Sequence, residues 1–169
     1  MTKSEISTIR KYFFSCFLLT IPILVWNLAL TNKLPKAFQS DVFWNDIPSF
    51  LTYGENISRT LVFMLTLFMP LSFVTPTQKK GVILFVTGTL IYFTSWIILI
   101  YFPTSKWSNS LLGFLSPSLT PLLWLMGIGF IGQSFYFNLL YRRWVFVVVS
   151  IVFLLFHNAH TLIVFDRTH

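Results

Sequence analysis

Five long apolar stretches separate nearly all the ionisable residues of this 169-residue chain. About 20 apolar residues in an α-helix are needed to cross the roughly 30 Å hydrocarbon core of a bilayer, so this pattern predicts a polytopic membrane protein. Backbone groups in lipid must hydrogen-bond internally, which favours helices over open strands. We therefore expect an all-α fold in which five transmembrane helices form one bundle and one domain. The predicted spans cover residues 12–30, 57–74, 82–102, 119–140 and 144–165.

The composition agrees with this class of protein. Hydrophobic residues make up 55% of the chain and charged residues only 10%, whereas a soluble domain carries about 25% charged residues. The net charge of +7 comes from short basic groups at the span ends, where lipid headgroups and the positive-inside rule account for them. We therefore expect the bilayer and no nucleic acid as a partner. A membrane-protein partner or a second copy of this chain stays open.

Two basic pairs predict the orientation of the bundle. Lys79–Lys80 and Arg142–Arg143 lie in short loops that carry no acidic residue. Short cytoplasmic loops are enriched in Lys and Arg, so these loops are predicted to face the cytoplasm, with the N-terminus inside and the C-terminus outside. This orientation places seven basic residues inside and five outside. The expected location is the plasma (inner) membrane of a bacterium, since the chain lacks long soluble tails.

The two predicted outer loops are longer than the inner ones and differ in content. Residues 31–56 interleave aromatic with acidic side chains, a mix that suits a segment in the headgroup layer or folded over the mouth of the bundle. Residues 103–118 carry apolar side chains between prolines, which interrupt helices, so we expect an interfacial or re-entrant segment. Aromatic-rich outer loops commonly only anchor a bundle, so a dedicated lid is the less favoured interpretation.

Small residues in the third and fourth spans indicate helix packing. A G-x-G-x-x-G pattern begins at Gly127, but a dinucleotide site needs a strand before this pattern and a helix opening at it. Here the pattern lies inside a predicted span, so we expect no nucleotide. Gly81, Gly88 and Ser95 recur every seven residues and share one helix face. Such residues let helices approach closely, which predicts a packing seam.

The polar residues of the spans gather near the predicted outer face. Polar groups inside a bilayer are costly enough to mark function by default. At a rise of 1.5 Å per residue, His157 and His160 lie about 21 and 25 Å from the inner end of the fifth span. Glu55 and Arg59 are four residues apart and can pair on one helix face. Asn27 belongs to the outer half of the first span. The candidate ligand-binding residues are Glu55, Arg59, His157, His160, Asn27 and Asn158.

This cluster supports three interpretations. His157 and His160, with Glu55 or Asp166 as a third ligand, could hold a divalent transition metal such as zinc, although their spacing differs from H-E-x-x-H. Alternatively, one histidine is a general base that Glu55 orients, while Arg59 holds a phosphate or carboxylate. In the third interpretation the same side chains form only a hydrogen-bonded belt between helices.

From the sequence we expect a small integral membrane protein whose outward-facing polar pocket binds a small ligand or metal ion. One alternative is a membrane-embedded enzyme that acts on a lipid or small substrate at the outer face. The other is a non-catalytic subunit of a membrane complex, which would need the seam of Gly81, Gly88 and Ser95 to face lipid. No motif specifies a reaction, and a divalent metal is the one cofactor that the residues suggest.

Overall fold

The computed structural model describes residues 14–136 and 143–169, and every regular element in these ranges is helical. The all-α expectation is therefore confirmed for this part of the chain. Two short 3-10 turns, Thr31–Lys33 and Lys36–Phe38, stand between the first two α-helices. The α-helices are α1 (Phe17–Leu30), α2 (Ser40–Phe43), α3 (Ser49–Phe68), α4 (Pro76–Tyr101), α5 (Leu111–Leu119), α6 (Pro121–Ile131) and α7 (Trp144–Thr168).

Three helical segments are long and apolar enough to cross a membrane, namely Pro76–Tyr101, Leu111–Ile131 and Trp144–Thr168. Helix α1 with its following turn is apolar but shorter. Its 14 residues rise about 21 Å, less than the core of a typical bilayer. Helix α3 has 20 residues, but they include the charged residues Glu55 and Arg59. The described chain is thus compatible with a multi-pass membrane protein, on the strength of three segments rather than five.

Helix α3 departs from the predicted second span at both ends. It begins at Ser49, directly after Pro48, rather than near residue 57. The polar residues between Ser49 and residue 57 are therefore also helical. It ends at Phe68 rather than near residue 74, because Met69 is extended (φ −92°, ψ 118°). A residue before proline is pushed out of the helical region, and Pro70 follows directly. Glu55 therefore lies on a helix and not in a loop.

Helix α4 begins six residues before the predicted limit of the third span. Thr75 Oγ1 accepts a hydrogen bond from the Gln78 backbone N–H at 3.2 Å, and Gln78 Oε1 accepts from the Thr75 N–H at 2.9 Å. This capping box, followed by Pro76, starts the helix ahead of its apolar residues. The Lys79–Lys80 pair, expected in a loop, consequently lies in the first turns of α4.

The second outer loop and the fourth span also differ from expectation. Residues 111–119 form helix α5, which packs against α4 and α7, and the interfacial or re-entrant placement of this segment stays a prediction. Ser110 caps this helix by accepting from the Gly113 N–H at 3.1 Å, while Pro117 lies within it. The helical segment then ends at Ile131 instead of residue 140. The predicted inner turn at Arg142 falls outside the described residues.

The glycine seam holds α4 against α6. Gly81, Gly88 and Ser95 are all buried. A Cβ atom on Gly88 would approach the backbone nitrogen of Trp124 to 2.6 Å, and one on Gly81 would approach the carbonyl oxygen of Gly127 to 2.9 Å. The predicted seam is therefore confirmed at Gly81 and Gly88, and its partner there is a helix of the same chain.

Residues 31–48, here called the cap segment, fold over the end of the bundle at which α7 ends. Arg167, near the end of α7, donates to the backbone carbonyl of Val42 at 2.7 Å and to that of Asn45. Phe43 is buried in an aromatic cluster beneath the segment. The segment therefore lies over the mouth of the bundle, which is one of the two placements expected for this loop.

Candidate functional site

One buried carboxylate organises the polar cluster. Glu55 is 0% exposed, and its Oε1 accepts a hydrogen bond from the guanidinium of Arg59, one turn further along α3. The same Oε1 lies 2.9 Å from Nδ1 of His157, and Oε2 lies 2.6 Å from Nδ1 of His160. The structure thus brings together four of the six residues that the sequence predicts to bind a ligand.

The local sequence explains each half of this cluster. Glu55 and Arg59 share a face of α3 because they are four residues apart, and the two histidines share a face of α7 because they are three apart. Gly54 lets these faces meet, since a Cβ atom there would lie 2.5 Å from the ring of Phe156 on α7. Close contact between α3 and α7 therefore occurs at the level of the carboxylate.

His160 joins the cluster to the cap segment. It is fully buried, and its Nε2 lies 2.8 Å from the backbone carbonyl oxygen of Phe43. A carbonyl oxygen only accepts, so Nε2 carries a hydrogen atom. The ring of Phe43 lies 4.1 Å from the imidazole centroid, and that of Trp44 lies 4.6 Å from it. His160 is consequently enclosed on both ring nitrogens and on its faces.

His157 is held in a different way. Its Nδ1 faces Glu55, and its ring stacks on Phe153 with centroids 5.4 Å apart and an angle of 12°. Its side chain is 21% exposed, and its Nε2 has no hydrogen-bond partner within residues 14–136 and 143–169. The carboxylate therefore fixes the ring while leaving one nitrogen available to another molecule.

His157 lines a cavity of about 380 Å³. Small-molecule sites typically measure about 300 to 1,000 Å³. Arg59 and His157 line the cavity, whereas Glu55 and His160 are outside its lining. Glu55 bonds to Arg59 and to both histidines. Helix α1, the cap segment and helices α3 to α7 all contribute to the walls. The aromatic part of the lining consists of Phe38, Phe43, Trp44, Phe63, Tyr92, Trp96, Trp124 and Phe153.

The two asparagines have separate positions. Asn27 lines the cavity, and its Oδ1 accepts a 2.6 Å hydrogen bond from the hydroxyl of Tyr92, which joins α1 to α4. Asn158 faces α5, where its Oδ1 accepts from Ser118 Oγ at 2.9 Å and its Nδ2 donates to the Leu154 carbonyl at 2.7 Å. Asn158 is outside the lining of the cavity, so the structure does not join it to the other candidate residues.

Sequence reasoning missed several lining residues. Tyr92, Trp96 and Trp124 belong to apolar spans, where an aromatic residue is most simply interpreted as core. The indole nitrogen of Trp124 is buried, and the described part of the chain offers it no hydrogen-bond partner. Trp44 could have been suspected from the aromatic content of the loop, but no sequence signal points to its contact with His160.

The geometry does not resemble a metal centre. No group of three His, Cys, Asp or Glu side chains in the described ranges is arranged to hold an ion. Two atoms bound to a tetrahedral zinc ion at about 2.0 Å would be about 3.3 Å apart, whereas His160 Nδ1 and Glu55 Oε2 are in direct contact at 2.6 Å. Asp166 is exposed. The metal site stays a sequence-based prediction, and the observed distances are those of hydrogen bonds.

Comparison with known proteins found no matching family model, no similar curated protein and no similar solved structure.

Proposed function

We propose that this chain is a multi-pass membrane protein whose cavity beneath the cap segment binds a small ligand. The observation that carries the proposal is that Arg59 and His157 line an otherwise largely apolar cavity. A concave apolar site with a few convergent polar groups is the usual form of a ligand pocket.

The free-energy cost of burying the ionisable groups of this cluster supports the same proposal. Burial of ionisable groups such as Glu55 and His160 is expensive, and apolar residues of similar volume can often replace a buried ion pair without loss of stability. Ionisable groups within membrane helices accordingly tend to serve a function. Here the two buried members, Glu55 and His160, position the two that reach the cavity.

The proposal is tested by filling the cavity. Val62 lines it and is buried, whereas Val148 on α7 is 54% exposed. We expect native mass spectrometry of the purified protein to detect a bound small molecule in the wild type and in Val148→Phe, and to detect none in Val62→Phe. Equal amounts of bound molecule in both variants would place the ligand elsewhere and contradict the proposal.

We further propose five membrane crossings, with the cap segment on the outer side. Trp96, in the second half of α4, contacts Phe38 of the cap segment, and Arg167 at the end of α7 bonds to the same segment. The starts of both helices, with Lys79, Lys80 and Arg143, therefore lie at the opposite end of the bundle. Basic residues at one end favour the cytoplasmic side. The N-terminus is then inside and the C-terminus outside, in the plasma membrane of a bacterium.

A second candidate function is catalysis at the same cavity. A carboxylate that holds one imidazole nitrogen and leaves the other free is the arrangement of a general base and its orienting group. Glu55 and His157 have this arrangement, and Arg59 could hold an anionic group of a substrate. Hydrolysis of a p-nitrophenyl ester or phosphate by the wild type, lost in a folded His157→Ala variant, would support this candidate. Equal turnover in both proteins would refute it.

The subunit alternative has less support than these two. It depended on a seam of small residues facing lipid, and that seam is occupied by α6 of the same chain. The bilayer is the one partner that the proposed function requires.

A further inference from the structure

We propose that the ligand of this cavity is an anionic amphiphile, with a carboxylate or phosphate head on a single apolar body. This inference rests on the proposed ligand-binding function and adds the charge of the head and the nature of the body.

The first argument is the proton count of the polar cluster. Nε2 of His160 carries a hydrogen atom because it faces the Phe43 carbonyl oxygen. The 2.6 Å contact between His160 Nδ1 and Glu55 Oε2 needs one further proton, whichever atom holds it. His160 and Glu55 together are then neutral. A neutral His157 suffices to donate to Oε1, so the charge of Arg59 remains and the cluster carries at least +1.

The second argument is the lack of a further counterion. All ion pairs within residues 14–136 and 143–169 involve Glu55. The remaining described carboxylates, on Asp41, Asp46 and Asp166, are exposed and pair with no basic side chain there. The positive charge is therefore not balanced by a second acid in the described part of the chain.

The third argument is the setting of Arg59. Its guanidinium lies 5.9 Å from the ring of Trp44 and 5.7 Å from that of Phe153, and its side chain is 34% exposed. Aromatic faces stabilise a cation only in part. A carboxylate or phosphate would form charge-assisted hydrogen bonds with the guanidinium, and a protonated His157 Nε2 could donate a second one.

The fourth argument concerns the apolar body. Beyond the polar groups, the wall is aliphatic and aromatic, and it includes Leu24 on α1 and Phe63 on α3. Leu24 is 39% exposed and Phe63 is partly exposed, and α1 contacts α3 only sparsely. In a bilayer this side of the cavity would face lipid, so a molecule with an apolar body could enter from the membrane. An inorganic anion would leave the aromatic wall unused.

The test compares head groups on one chain. Bromine quenches tryptophan fluorescence on contact, and Trp44, Trp96 and Trp124 line the cavity. Wild-type protein in nanodiscs of a zwitterionic phospholipid is titrated with 11-bromoundecanoic acid, 11-bromoundecanol and 11-bromoundecylamine. In the Val62→Phe variant the cavity is filled, so the quenching measured in this variant comes only from bromine in the surrounding lipid. We expect saturable quenching by the acid at a concentration at least about tenfold lower than for the alcohol or the amine.

The outcomes separate the inference from the function on which it rests. If the acid and the alcohol reach half-maximal quenching at the same concentration, or if the amine does so at the lowest concentration, the anionic head is overturned. The ligand cavity would still stand. Absence of saturable quenching by all three compounds would count against the proposed function as well. Full competition by acetate or inorganic phosphate at the concentration of the brominated acid would identify a free anion as the ligand and overturn the amphiphile.

Variants of Arg59 give an independent measurement. Arg59→Lys keeps the charge and is expected to retain the preference for the acid, whereas Arg59→Gln is expected to bind acid and alcohol alike. A preference for the acid that persists in folded Arg59→Gln would overturn the role of this charge. The wild-type comparison decides the head charge even if Arg59→Gln does not fold.

Discussion

His160 Nε2 donates a hydrogen bond to the backbone carbonyl of Phe43 across 2.8 Å, which ties helix α7 to the cap segment. The other nitrogen of the same ring contacts Glu55. The carboxylate that positions the cavity-lining groups thus also takes part, through one imidazole, in holding the cover of the cavity. Arg167 adds a second attachment from α7 to the same segment.

Substitution of His160 is expected to loosen the cap segment. His160→Ala removes the bond to Phe43, so backbone amides of residues 34–48 should exchange with deuterium faster than in the wild type. His157→Ala is the matched control, since His157 contacts the same carboxylate but has no bond to the cap segment. Equal exchange of residues 34–48 in both variants would contradict this account.

Removal of the central charge is expected to destabilise the fold. Glu55→Gln leaves the partly exposed Arg59 without its ionic partner and weakens the hydrogen bonds to both histidines. A hydrogen bond to a charged group typically contributes about 1.5 to 3 kcal/mol. Thermal unfolding in detergent should therefore show a clearly lower midpoint. Asp166→Asn removes an exposed carboxylate instead and should unfold close to the wild type. A midpoint unchanged in Glu55→Gln would show that the cluster contributes little to stability.

The glycine seam predicts a contrast between two alanine substitutions. Gly88→Ala would bring a Cβ atom to 2.6 Å from the Trp124 backbone nitrogen, whereas on Gly129 the nearest atom, in the Phe146 ring, is 3.4 Å away. Backbone cannot shift as easily as a side chain, so Gly88→Ala should cost about 1 to 3 kcal/mol. Gly129→Ala should cost much less. Similar unfolding free energies for the two variants would argue against close packing of α4 on α6.

The orientation can be checked by thiol labelling in intact cells. Cys16 is the single cysteine of the sequence, so a Cys16→Ser background provides a protein without a native thiol. A membrane-impermeant maleimide should label Lys36→Cys, in the cap segment, before lysis. It should label Lys80→Cys, at the opposite end of the bundle, only after lysis. The reverse pattern would invert the proposed orientation.

The predictable part of the site depends on short-range geometry. Glu55 with Arg59, and His157 with His160, lie on common helix faces because the helical repeat is known once a segment is taken to be helical. Apolar content likewise identified the long helices, as the agreement of the last span with Trp144–Thr168 illustrates. Helix limits were less predictable, because capping by Thr75 and Ser110 overrides apolar content.

The sequence by itself determined the helical class, the membrane-like apolar segments, the packing role of the small residues and the two polar pairs. These features follow from composition and from spacings of a few residues. Only the tertiary structure decided that Glu55 joins both histidines, that Asn158 turns towards α5, and that a cavity forms under the cap segment. The physical reason is that these contacts join segments about 40 to 120 residues apart. One of them uses the backbone carbonyl of Phe43, which every residue type would supply.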